Sequence, residues 1–290
     1  MELSVIIVSF RVRDLLRECL LSVERAIEKT EHEIFVVDNN SGDGSAEMIE
    51  KEFPCVKLIK NKINYGFSKA NNQAIKISCG RFIVLLNPDT LVEKNTFSKC
   101  DEFMKSHPEA GAIGIKMING EGKYLPESKR AFPSLKTAFF KSFGFSILFP
   151  KSNYFNRYYL PQININETSL TEVISGAFMF IRHEALSKSG PFDEDFFMYG
   201  EDIDLSYRLM QTGYKNYYLP EAQIIHYKGQ STSRSGYSDI RYFYKAMRVY
   251  VRKRAVEGKY NSVLPVILLA VCLREGIALT NRFIRLKLKS

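Results

Sequence analysis

The sequence predicts an α/β protein: a mostly parallel sheet covered by helices on both faces, followed by a C-terminal helical basic extension. Three observations carry that expectation. Short apolar runs alternate with segments whose apolar residues recur at helical spacing. The runs are continuous rather than every-other-residue, the pattern of strands buried on both faces. The positive charge is confined to the chain end: residues 227–290 hold 14 Lys and Arg against three Asp and Glu, leaving 27 against 29 for the rest of a chain of net charge +9.

The elements follow in order. Residues 3–9 (Leu-Ser-Val-Ile-Ile-Val-Ser) read as the first strand, and 14–29 as a helix with Leu15, Leu16, Cys19, Leu20 and Val23 on one face. Strands are expected at 33–38, 56–60, 81–86 and 112–117, with helices at 44–53, 67–78 and 95–107 between them. From 119 to 171 the pattern dissolves into aromatic and Pro-rich sequence, read as an irregular insertion with helical pieces. Regular structure resumes at 172–182, then a helix at 202–212 and short strands at 214–218 and 223–226. No internal repeat is apparent.

Composition narrows the class further. The chain has 290 residues, 45% hydrophobic and 25% charged, with five scattered cysteines and no Cys-x-x-Cys pair. A chain of this size folds without a disulfide or metal staple, and the cysteine usage fits a reducing compartment. The first residues carry Glu2 rather than a basic leader, so 3–9 reads as a buried strand and not a signal peptide. The longest apolar run, 263–273, is about half of the roughly 20 residues a membrane span needs. The body is therefore expected in the cytoplasm.

In such sheets ligands collect at the carboxyl ends of the strands, and polar clusters stand there. Asp38-Asn39-Asn40-Ser41-Gly42-Asp43-Gly44-Ser45 follows a strand and opens a helix. It makes a good turn and N-cap, and equally places Asp38 to accept a hydrogen bond from a nucleobase imide. Asn87-Pro88-Asp89-Thr90 ends the most apolar strand, either as a helix start or as a carboxylate for Mn²⁺ or Mg²⁺ on a nucleoside diphosphate. Gly200-Glu201-Asp202-Ile203-Asp204 packs three acids into four residues behind an aromatic turn. One acid suits a helix start; three suit a perturbed carboxylate that can act as general base on an alcohol. His226 ends a strand before a Gly/Ser loop, where an imidazole would help a metal held by a single carboxylate.

Jointly these residues resemble the family 2 glycosyltransferases of the GT-A fold, in particular their bacterial rhamnosyltransferase-like branch. The matching elements, in order, are Val5-Ile6-Ile7-Val8-Ser9, Val36-Val37-Asp38-Asn39-Asn40-Ser41, Asn64-Tyr65-Gly66-Phe67, Asn87-Pro88-Asp89, Ser175-Gly176-Ala177, Gly200-Glu201-Asp202 and His226. The resemblance implies a GT-A domain over 1–232, with 119–171 as an acceptor-side insertion. It implies inverting transfer of a hexose from a nucleotide sugar, with dTDP-rhamnose the donor this branch suggests. Ser9, Asp38, Asn40, Asn64 and Asn87 would bind the nucleotide, and Asp89 and His226 the metal. Asp202 would deprotonate the acceptor hydroxyl with Glu201 beside it, and Ser231, Gly176 and Tyr199 would line the diphosphate and acceptor. The usual Asp-x-Asp is Asn-Pro-Asp here, so Asn87 supplies no second charged ligand.

Residues 233–290 read as a basic amphipathic helical tail. Basic residues flanking apolar helical stretches suit an anionic membrane surface, placing the enzyme on the inner face of the cell membrane. There a glycan or lipid-linked glycan of cell-surface polysaccharide synthesis would be the acceptor. An ordinary packing helix with a solvated face is the alternative. No nucleic-acid recognition module is present, and self-association is left open. Two other functions stay in view. A sugar nucleotidyltransferase would need a Gly-rich basic loop that 9–13 lacks. A catalytically inactive glycan-binding or scaffold homologue would have no need for Asp202.

Overall fold

The computed structural model describes residues 1–27, 30–134, 148–149, 152, 154, 156–228, 237–256, 258 and 261–287. Strands β1 (Leu3–Ser9), β2 (His32–Asp38), β3 (Lys57–Lys60) and β4 (Phe82–Leu86) form the parallel half of one nine-stranded sheet. The order is β3-β2-β1-β4-β8-β6-β9-β5, where β5 is Thr90–Val92, β6 Ala110–Ile118, β8 Phe178–Arg182 and β9 Lys215–His226. A two-residue β7 (Ser169–Leu170) pairs with β9 off that path.

The continuous apolar runs have the expected cause. Along β1, Val5 and Ile7 pack with Leu16, Leu20 and Val23 of α1 (Arg13–Ile27) on one face. Ile6 and Val8 pack on the other with Ala70 and Ala74 of α3 (Phe67–Ile75), in a cluster that also holds Leu205 and Leu209 of α6 (Glu201–Gln211). Side chains alternate across the pleat, so a strand covered on both sides is apolar on both, save at Ser4, whose hydroxyl donates to the buried Glu33 of β2 at 2.6 Å. Helices α2 (Ser45–Glu52) and α4 (Thr96–Ser106) complete the expected alternation.

The sheet is mostly parallel as expected, with β8 lying antiparallel between β4 and β6. Three features differ from the sequence reading. The residues after Asp89 do not start a helix but form β5, antiparallel to β9 with Thr90 opposite His226. The two short strands at 214–218 and 223–226 are one 12-residue strand, whose register shifts between Ile115 and Lys116 of β6 as the chain passes Pro220. A bulge lets the strand continue past a residue that cannot donate to the ladder. A short helix α5 (His183–Ser189) had no signal in the periodicity. Within 119–171, the described residues include 3-10 turns at Pro126–Ser128 and Arg157–Tyr159.

The C-terminal segment makes two helices, α7 (Tyr237–Val256) and α8 (Leu264–Lys287). The apolar run that looked too short to span continues as helix: Asn261–Ile284 is long and apolar enough to cross a membrane by length and composition, and is almost wholly exposed. Part of the basic excess of this segment is used internally. Arg254 reaches the buried Asp204 at 3.0 Å, Lys253 pairs with Asp195 at 3.0 Å and with Asp193, and Arg248 of α7 pairs with Glu275 of α8. Helix α7 is thereby tied to α6, and α8 to α7.

Candidate active site

The carboxyl ends of β1 and β2 place Ser9 opposite Asp38 in register. Both are buried, and Ser9 Oγ and Asp38 Oδ1 have no hydrogen-bond partner among the described residues. Buried polar atoms are almost always paired, so two orphans on adjacent strand ends mark a place for a ligand. Asn40 sits exposed in the left-handed region at φ 64°, a conformation Asn tolerates better than most residues.

Asn39, not among the expected site residues, organises the next loop. Its Nδ2 donates to Asn64 Oδ1 at 2.8 Å and to the Gly66 carbonyl at 3.1 Å; its Oδ1 accepts from Asn61 Nδ2 and the Tyr65 amide at 3.1 and 3.0 Å. Asn64 Oδ1 also accepts from the Gly66 amide at 2.8 Å. Asn64 therefore builds the loop. Gly66 (φ +82°) must be glycine, because a Cβ would lie 2.4 Å from the Phe197 carbonyl, which accepts from the Phe67 amide at 2.7 Å. That contact joins the Asn64–Phe67 loop to the aromatic turn before Glu201.

Beyond β4, the half-buried Asn87 is held through its backbone: its amide donates to the Ala177 carbonyl at 3.0 Å and its carbonyl accepts from Thr90 Oγ1 at 2.7 Å. Asp89 is 3% exposed. His226, brought across by the β5–β9 pairing, places Nε2 3.3 Å from Asp89 Oδ1, yet that oxygen accepts no aligned hydrogen bond. A buried carboxylate oxygen left open beside an imidazole nitrogen is a donor pair that fits a divalent cation. Among the described residues no cluster of three or more His, Cys, Asp or Glu could hold one. Phosphate oxygens and water would have to complete the shell, as is usual for Mg²⁺.

The third group surrounds the start of α6. Tyr199 (φ 71°) and Gly200 (φ 81°) are both left-handed. For a tyrosine that costs roughly 1–3 kcal/mol, a strain concentrated at functional sites. The turn delivers Glu201 and Asp202 to the helix N-terminus. Asp202 Oδ1 accepts from the Ile203 amide at 2.8 Å; Oδ2 accepts from Arg130 Nη2 at 2.5 Å and from the Gly176 amide at 3.2 Å. Arg130 also donates to the Tyr158 hydroxyl at 3.2 Å and the Ile174 carbonyl at 3.3 Å. Burial works against the guanidinium's charge, but Asp202 and Tyr158 outweigh it, so its pKa is raised. Glu201 is buried, and its Oε2 has no hydrogen-bond partner among the described residues. Burial first, and the adjacent Asp202 charge second, push its carboxyl up to about 8, so it carries a proton at neutral pH.

Ser9, Asp38, Asn87, Asp89 and His226 thus gather at one end of the sheet. The Asp202 group adjoins them through residues 176–177, which touch Asp202 on one side and Asn87 on the other. The Tyr199 ring packs edge-on against Phe243 of α7 at 6.0 Å. Ser231 lies outside the described residues. Sequence reasoning missed Asn39, Arg130 and Tyr158. Asn39 stood inside a quoted motif, whereas the other two lie in the stretch whose pattern has no period.

Residues 4–190 match the family described as Glycosyl transferase family 2. The chain is 26% identical over 263 residues to an N-acetylglucosaminyl-diphospho-decaprenol L-rhamnosyltransferase of Mycobacterium tuberculosis, covering 87% of this chain and 84% of the relative. It is 27% identical over 265 residues to the rhamnosyltransferase WbbL of Escherichia coli K12, covering 88% and 95%. Among solved structures it resembles the mannosyltransferase PcManGT of Pyrobaculum calidifontis in complex with GDP-Man and Mn²⁺, with TM-score 0.60, 17% identity and coverage of 98% and 73%. It also resembles S. aureus TarS 1–349, with TM-score 0.57, 18% identity and coverage of 87% of this chain and 64% of that one. These two likenesses show the GT-A fold.

Proposed function

This chain belongs to glycosyl transferase family 2, and from that premise we propose that it moves rhamnose from dTDP-rhamnose to a hydroxyl of a lipid-linked glycan, with inversion, in cell-surface polysaccharide synthesis. The observation that carries the reading is the set of buried oxygens of Ser9, Asp38 and Asp89, without a hydrogen-bond partner among the described residues, at one sheet end beside Asp202. Relatives named as L-rhamnosyltransferases, aligned over most of the chain, support the sugar, and the diphospho-decaprenol in one such name supports the acceptor class.

The residues divide the work. Asp38 accepts from the nucleobase, and Ser9, Asn40, Asn64 and Asn87 form the surrounding nucleotide wall. Asp89 and His226 hold Mn²⁺ or Mg²⁺, which when bound offsets charge on the departing diphosphate. Asp202 takes the acceptor proton as the hydroxyl attacks the anomeric carbon opposite the leaving group. Arg130 and the Gly176 amide orient that carboxylate, and the protonated Glu201 adds no competing charge.

The tail fits a peripheral seat on the inner membrane face. Helix α8 exposes an apolar run, Val266, Leu269, Leu273 and Ile277, beside the exposed Arg274 and Arg282, a mix that suits an anionic lipid surface. It is held along α7 by Arg248–Glu275, and α7 is pinned to the transferase domain by Arg254–Asp204. A helix so fastened lies in the interface plane rather than across it.

Thermal shift of the full chain with dTDP-rhamnose, UDP-GlcNAc and GDP-mannose, each with and without Mn²⁺, tests the donor by mass action. Stabilisation by dTDP-rhamnose that requires the metal is expected. Stabilisation by another donor alone would refute rhamnose, and none by any donor would refute a nucleotide-sugar site.

A further inference from the structure

A shallow concavity of about 390 Å³ lies between the two tail helices and the turn that carries the base. Tyr199, Ile240, Phe243, Tyr244 and Ala278 line it with Asp239. Five of the six liners are apolar or aromatic, a lining that suits a hydrocarbon.

Its position sets what that hydrocarbon belongs to. Tyr199 is three residues from Asp202, and its strained backbone fixes the ring against Phe243. One wall is therefore part of the turn that presents the proposed base. The opposite wall, Ala278, belongs to α8. That helix also carries Val266, Leu269, Leu273 and Ile277 between 56 and 68% exposed. A chain emerging from lipid along α8 would meet this groove before reaching the base. The cations exposed on the same two helices, Arg241, Lys245, Arg274 and Arg282, complement a phosphorylated lipid rather than a neutral one.

We propose that this groove seats the first isoprenoid units of a polyprenyl-diphosphate acceptor, so that the lipid chain, as well as its sugar, is recognised by the enzyme. This rests on the lipid-linked acceptor proposed above. Chain binding needs no sugar transfer, however, so it can be tested whether or not the donor is dTDP-rhamnose.

The probe is a geranylgeranyl diphosphate bearing a photoreactive diazirine near the chain's diphosphate end, used on the full chain in detergent without vesicles, with labelled peptides mapped by mass spectrometry. Labelling within 239–244 or around Ala278 is expected, with competition by farnesyl diphosphate but not by inorganic pyrophosphate. Ala278→Trp, which fills the groove, and Phe243→Ala, which removes a wall, should each lower labelling at least ten-fold. Ala270→Trp, at an exposed position of the same helix, should leave it unchanged. Label spread evenly along α8, or unaffected by both groove variants, would overturn the proposal in favour of a general apolar surface. Competition by pyrophosphate alone would overturn it in favour of a headgroup site. If Ala278→Trp fails to fold, Phe243→Ala still decides. Loss of all labelling with donor stabilisation intact would remove the groove and spare the transferase reading; the converse would do the reverse.

Discussion

Glu201→Gln probes the electrostatics of the base-bearing turn. The carboxyl is buried beside Asp202 and titrates at about 8, against an ordinary 4.5. In the unfolded chain it would ionise more than three pH units earlier. The folded state thus binds this proton more tightly, and its contribution to stability is fully present below about pH 4.5. It falls by roughly 1.4 kcal/mol per pH unit as pH rises and is lost above about pH 8, a total on the order of a few kcal/mol. Glutamine keeps the shape and cannot ionise, so it escapes that loss. Urea midpoints of the wild type and the variant, taken each pH unit from 5 to 9, should diverge in favour of the variant and level off above 8. Adding Asp202→Asn to both should shrink the divergence, because the neighbouring charge is the second cause of the shift. Parallel curves would refute the buried-acid reasoning. Turnover near neutral pH should survive Glu201→Gln, because a group already holding its proton is not the base; its loss would move the base to Glu201.

Three other outcomes are expected. Asp202→Asn should keep donor stabilisation but lower turnover roughly 10²-fold or more, the range for a lost general base; Arg130→Gln should lower kcat with donor KM unchanged and Arg130→Lys should restore part of it, read from steady-state kinetics. Asp89→Ala should abolish the Mn²⁺ dependence of donor stabilisation and His226→Ala should weaken it, whereas unchanged activity of the wild type in chelator would show that a basic side chain stabilises the diphosphate instead. The wild type should stay on phosphatidylglycerol vesicles in high salt, because apolar burial is not screened as charge is; Leu269→Glu with Leu273→Glu should release it, and equal co-sedimentation would leave α8 as a packing element.

The sequence by itself determined the architecture around the first four strands and the identity of most candidate groups. A strand buried on both faces is apolar nearly throughout, so β1, β2 and β4 announce themselves locally, and the polar clusters that close their apolar runs read as strand ends. Asp38 and Asp89 were legible for that reason, and Asp202 because three acids crowd into four residues behind an aromatic turn. Long-range pairing decided the rest. Nothing local to 178–182 says that β8 runs antiparallel between β4 and β6, because direction is set by where the chain returns. Nor does any spacing place His226 beside Asp89, a meeting made by three residue pairs between β5 and β9. Arg130 and Tyr158 sit in a stretch without periodicity, and the Arg130–Asp202 contact, with Tyr158 behind Arg130, exists only once that stretch folds over the start of α6. The tail shows the same division. Its charge and apolar content are properties of composition, but whether Arg254 meets lipid or Asp204 depends on which surface lies opposite, and here packing against α6 buries it at 4% exposure.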